Sequence, residues 1–73
     1  MWDAEWDAQD LGCGELVFEL RTRVRDLSPG QVLRLRATDA GAPADIPAWC
    51  SLTGHHLVSA APPEYLIRRR DAP

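Results

Sequence analysis

Lysine does not occur in this sequence, cysteine occurs only twice, and aromatic residues make up 7%. Two cysteines cannot build the dense bridge network that holds small secreted domains together, so a disulfide scaffold is excluded. Cys13 and Cys50 are far apart and in no C-x-x-C pair, and read as separate free thiols in a reducing compartment. No apolar run approaches the ~20 residues that would span a bilayer. The start, Met1-Trp2-Asp3-Ala4-Glu5-Trp6-Asp7, is acidic where a signal peptide is basic. Together these point to a cytoplasmic protein with no membrane partner. No glycine-rich phosphate loop, Ser/His/Asp order or carboxylate pair stands out. His55-His56 and two distant cysteines do not have the spacing of structural zinc sites, so no metal and no cofactor is expected.

What remains is a chain of 73 residues, 45% hydrophobic and 26% charged. That length and composition suit one globular domain over residues 1–70, with 71–73 as a disordered tail. The net charge is −3, but its distribution is uneven. Asp3, Glu5, Asp7, Asp10, Glu15 and Glu19 precede every basic residue. All eight basic residues are arginines, grouped as Arg21, Arg23 and Arg25, then Arg34 and Arg36, then Arg68, Arg69 and Arg70. Arginine grips anions through a planar fork and could guide acidic partners. A negative net charge without interleaved aromatics is not the balance of a nucleic-acid binder, and the sheet-face arginines read as a solvated surface balancing nearby acids.

Trp2, Ala4 and Trp6 alternate with Asp3, Glu5 and Asp7, predicting a strand with one buried face. Leu16, Val17, Leu20, Val24 and Leu27 then recur at helical spacing, predicting a helix from about Gly14 to Leu27 that Ser28-Pro29-Gly30 ends. Gln31 to Thr38 alternates again, with Leu33, Leu35 and Ala37 on one side. Asp45 is expected to cap a short helix carrying Ile46, Trp49, Cys50 and Leu52, with Pro47 in its first turn and Gly54 as its stop. His55–Ala60 and Tyr65–Arg69 read as strands joined through Ala61-Pro62-Pro63-Glu64. The β-α-β-α-β-β order predicts an α/β (α+β) two-layer sandwich, with both helices on one face of a four-stranded mixed sheet and the other face wet.

Cys13 falls between the first strand and the first helix. There unpaired N–H groups and the positive end of the helix dipole favour a thiolate, although a small hydrophobe at a tight turn would occupy the same place. Cys50, beside Trp49, reads as core.

The stretch Asp7-Ala8-Gln9-Asp10-Leu11-Gly12-Cys13 resembles the TusA (SirA-like) sulfur-carrier family. So do Leu27-Ser28-Pro29-Gly30-Gln31-Val32-Leu33, Ala37-Thr38-Asp39, Asp45-Ile46-Pro47-Ala48-Trp49-Cys50 and Thr53-Gly54-His55. The resemblance runs nearly end to end. It implies the same two-layer fold, in which Cys13 carries sulfur as a persulfide; a monomer is expected. That sulfur would come from a cysteine desulfurase or rhodanese and pass to an acceptor protein, as in tRNA thiolation or other sulfur metabolism. Gly14 and Leu16 stand where the family has the two prolines of its Pro-x-Pro, and Asp10 replaces a usual glycine, whereas Glu15 agrees with the motif. Gly14 and Glu15 would support the Cys13 anion at the helix start, Asp39 and Asp45 would shape the loop and second helix beside it, and His55 would pack or hydrogen-bond at a strand start. The missing prolines leave a second reading, a non-catalytic interaction or regulatory module of the same fold.

Overall fold

The computed structural model describes residues 1–71 and, for Cys13, its backbone. The elements run β1 (Ala4–Gln9), α1 (Cys13–Arg25), β2 (Val32–Ala37), α2 (Ala42–Thr53), β3 (His56–Ala61) and β4 (Glu64–Arg68). The expected order therefore holds, with the ends of strands and helices displaced by up to four residues. The four strands form one sheet in the order β1-β2-β4-β3. β1 and β2 are parallel, as a strand–helix–strand crossover requires, and the other two pairings are antiparallel. Ala72 and Pro73, two residues of the expected disordered tail, lie outside the described residues.

One core joins the two layers. Leu16, Leu20 and Val24 from α1, and Ala42, Ile46, Trp49 and Cys50 from α2, cluster with Leu33, Leu35, Ala37, Tyr65 and Ile67 from the sheet. The period-two prediction for β2 is met residue by residue, since Leu33, Leu35 and Ala37 are buried and Arg36 between them is exposed. On the wet face Arg34 bridges two strands, bonding Glu64 on β4 and approaching Glu5 on β1 at 3.7 Å. That arginine is a cross-strand tie rather than an open anion site.

Four expectations need correction. Trp2 lies outside β1 and on the wet side, where Arg34 sits over its ring at 5.1 Å and its indole N–H donates to Glu5. The bend at Asp3 breaks the alternation, and Ala8 completes the buried row instead. The first helix stops at Arg25, before Leu27, because Asp26 serves as its C-cap. Chain reversal follows at Ser28-Pro29-Gly30-Gln31, where Gln31 N–H bonds the Ser28 carbonyl and Gly30 takes φ +84, the turn for which a Pro-Gly pair is suited. In the second helix Asp45 is not the cap: α2 begins at Ala42 with Gly41 as N-cap, which places Pro47 in the helix interior. Asp39 explains the earlier start, since its carboxylate takes the Gly41 N–H at 2.9 Å and its carbonyl takes the Ala42 N–H. Leu52, expected in the core, is 86% exposed.

Each helix ends where chemistry dictates. Gly54 adopts the left-handed conformation at φ 83 and closes α2 through its N–H to the Cys50 carbonyl. At the end of α1 the Arg69 guanidinium donates to the carbonyls of Arg25 and Leu27. A cation at a helix C-terminus is the favoured sign of charge.

Candidate functional site

Because β1 and β2 are parallel, the helices that follow them both begin at the same end of the sheet. The two connecting loops are tied directly, Thr38 donating its N–H to the Gln9 carbonyl at 2.8 Å. Gln9 closes β1 with φ 55, left-handed backbone for a non-glycine residue, and the Leu11 N–H turns back onto the Ala8 carbonyl. The chain then passes through extended Gly12 into α1, whose first residue is Cys13. Leu16 N–H bonds the Gly12 carbonyl at 2.7 Å, which makes Gly12 the N-cap, and no side chain caps this end. The N–H groups of Cys13, Gly14 and Glu15 precede the first intrahelical bond, so helix geometry leaves them without a helical acceptor. The positive end of the α1 dipole therefore sits at the Cys13 backbone, with exposed Gly14 and Glu15 after it.

The two motif departures have different structural meanings. A Cβ on Gly14 would meet nothing within 4 Å, so space does not require glycine there. Proline at that position would push Cys13 out of helical backbone and move the helix start one residue on. Gly14 thus lets Cys13 belong to the first turn. Leu16 is fully buried and its N–H makes the first helical bond. Here the second proline position has become a core position. Asp10, the third departure, is exposed to solvent, which screens its charge.

Asp39 and Asp45 both reach Gly41. The Asp39 carboxylate holds its N–H, and oxygens of both side chains lie 3.0–3.1 Å from where a Cβ on Gly41 would stand. Both acids therefore surround the start of α2, Asp39 by bonding it and Asp45 from its first turn.

Between the helices lies a groove of about 220 Å³ lined by Val17, Asp45, Ala48, Trp49 and Leu52. Val17 is four residues after Cys13, one turn further along α1. Phe18, 64% exposed, and Leu52 are large apolar side chains left in water on this helical layer. Sequence reasoning missed this surface. Its signal was Phe18, an aromatic residue at a position the Leu16, Leu20 and Val24 stripe does not include.

The remaining candidates are settled by burial and bonding. Cys50 is 3% exposed and burial pushes its thiol up to about 11, which leaves it protonated and inert. His55 receives the Arg70 N–H on Nδ1 at 3.1 Å and packs against the Trp49 ring, so it both packs and hydrogen-bonds. Among the described residues, no three His, Cys, Asp or Glu side chains come together to hold a metal ion. No described helix is long and apolar enough to cross a membrane.

Comparison with known proteins places this geometry. The chain matches the family described as Sulfurtransferase TusA over residues 4–69, all six elements. It belongs to the TusA family. A protein of Pseudomonas paraeruginosa (strain DSM 24068 / PA7) named Sulfur carrier protein TusA is 48% identical over 56 residues, covering 77% of this chain and 71% of that protein. One of the same name from Pseudomonas syringae pv. syringae (strain B728a) is 43% identical over 72 residues, covering 93% of this chain and 86% of its own. The Putative sulfur carrier protein YrkF of Bacillus subtilis (strain 168) is 36% identical over 62 residues, covering 85% of this chain but 34% of that longer protein. The two-layer sandwich with a four-stranded mixed sheet is thus a TusA fold.

Proposed function

We propose that the protein relays sulfur as a persulfide on Cys13 between a donor protein, a cysteine desulfurase or rhodanese, and an acceptor in tRNA thiolation or related sulfur metabolism. The observation that carries this reading is the place of Cys13 in the first turn of α1, among N–H groups without helical acceptors. The Cys13 thiolate attacks the terminal sulfur of the donor persulfide. The new S–S bond forms as the donor's S–S bond breaks, and the donor cysteine leaves as thiolate. In the second half an acceptor nucleophile attacks the same terminal sulfur and Cys13 leaves as thiolate. Each half exchanges one S–S bond for a bond to the attacking atom, so no external oxidant is required. Negative charge on Cys13 recurs as nucleophile and as leaving group, and the helix N-terminus stabilises both.

Transfer between two proteins requires a surface on which the partner can dock. The groove between the helices, whose wall at Val17 lies one turn along α1 from Cys13 and which includes exposed Leu52, supports that part of the reading. Leu52→Asp should leave the melting temperature within a few degrees of wild type, because the side chain is solvated, and lower the rate of loading from a desulfurase at least about tenfold. Unchanged loading would remove the groove from the account. The carrier reading itself is tested by mass spectrometry after incubation with a cysteine desulfurase and L-cysteine. A gain of about one sulfur atom on the intact chain, reversed by reductant, is expected.

Gly14 and Leu16 favour one rival, an interaction module that keeps the fold without the chemistry. That module would give no sulfur adduct, and its Cys13 thiol would titrate near or above the unperturbed ~8.5.

A further inference from the structure

His55 joins α2 to β3 and is fixed from two sides. Its Nδ1 accepts the backbone N–H of Arg70 at 3.1 Å, and its ring lies 5.3 Å from the Trp49 indole at an inclination of 31°. A nitrogen that accepts carries no proton, so the neutral ring here is protonated on Nε2. The same segment that supplies the Arg70 N–H ties down both helix ends. Arg69 donates to the carbonyl of Arg25, the last residue of α1, and to that of Leu27 just beyond it, and the Arg70 side chain lies along Gly54 at the end of α2. Trp49 in turn forms part of the groove wall, with Val17, Asp45, Ala48 and Leu52. His55 therefore stands between the C-terminal segment and the groove.

Building on the carrier reading above, we propose that His55 is a positioning residue for partner docking: unprotonated at Nδ1, it holds the C-terminal segment and the Trp49 indole in place, and protonation releases both. A protonated ring would turn an N–H toward the Arg70 N–H, two donors with no acceptor between them. Either the ring rotates away from Trp49 or the segment leaves α2, and both outcomes reshape the groove wall. The charged and titratable groups around His55 are the guanidiniums of Arg70 and Arg69 and the imidazole of His56. Asp71, next along the chain, has its carboxylate beside Gly30, and the charge lining the groove is Asp45. Burial, reinforced by those neighbouring cations, holds His55 below its ordinary 6.5. The folded state thus favours the neutral ring, so this contribution is complete above about 6.5 and is lost as the pH falls through the lower, folded value.

The test is 15N NMR of wild type, His55→Asn and His55→Ala from about pH 8 to about pH 5. In wild type the His55 ring nitrogens, the Arg70 amide and the Trp49 indole N–H should shift with one common midpoint below 6.5. In His55→Asn the amide oxygen takes the place of Nδ1, so the Arg70 amide should stay bonded and both signals should stay flat. His55→Ala should show both displaced at every pH. A second arm measures desulfurase-dependent loading of wild type relative to His55→Asn, a ratio that cancels the pH dependence of the desulfurase. That ratio should fall as acid is added, by about tenfold per pH unit once below the midpoint, because the neutral fraction falls at that rate. A Trp49 signal that stays still while His55 titrates overturns the proposal. So does a Trp49 transition that survives in His55→Asn, which would belong to His56. Absence of loading from both proteins at every pH would overturn the carrier reading and the docking role, while the NMR arm separately decides whether His55 holds Trp49.

Discussion

Cys13→Ala should abolish sulfur loading completely while leaving circular dichroism and melting behaviour close to wild type. Alanine is the best helix former, so the first turn of α1 retains its backbone. The chemistry has no substitute, because the other thiol is enclosed: Cys50 is 3% exposed and its proton is held up to about 11. Cys50→Ala should behave in the opposite way. Loading should persist, and stability should fall by about 1 kcal/mol for the buried sulfur removed. The pair of variants separates chemistry from packing at two cysteines of one chain. Mass spectrometry reads the first effect and thermal unfolding the second. Loading that survived in Cys13→Ala would mean that sulfur sits elsewhere.

The largest effect on stability should come from restoring the second proline of the family motif. Leu16→Pro removes a fully buried leucine, a loss of about 2–5 kcal/mol, although the proline ring would recover part of the volume. It also deletes the N–H that bonds the Gly12 carbonyl and sets the proline ring against that carbonyl, about 3 kcal/mol or more in a helix interior. A domain of this size is stable by roughly 0.05–0.15 kcal/mol per residue, so the substitution should unfold most of the population at ambient temperature. Gly14→Pro should be far milder. Its side chain enters open space, and its main effect is to shift the helix start past Cys13. Denaturant titration would order the two. Equal tolerance would show that Leu16 does not carry the core contact assigned to it.

The order of elements was legible because two periods alternate cleanly along the chain. Leu33, Leu35 and Ala37 repeat every second residue, whereas Leu16, Leu20 and Val24 repeat every fourth, and each row found the core. The Cys13 position was legible too, since Gly12 and the onset of the helical row mark a junction. The misread features depend on contacts distant in sequence or on competition between neighbours. Asp45 had the right type for a cap, but Asp39 lies closer to the turn and takes the Gly41 N–H first. Leu52 continues the apolar spacing of α2, yet among the described residues no element covers it and it remains 86% exposed. Trp2 follows the alternation on paper, and Arg34, far along the chain, draws it to the other face. The Arg69 contact with the end of α1 spans most of the chain and leaves no local pattern to read.

The central claim is that the N-terminus of α1 favours the Cys13 thiolate, and the rate of alkylation by iodoacetamide as a function of pH tests it most directly. Cys50, enclosed and protonated up to about 11, contributes nothing to the signal. The account predicts that the Cys13 rate reaches half its plateau clearly below the ordinary thiol value of ~8.5, and that Cys13→Ala shows no modification in that range. A midpoint at or above ~8.5 would contradict it.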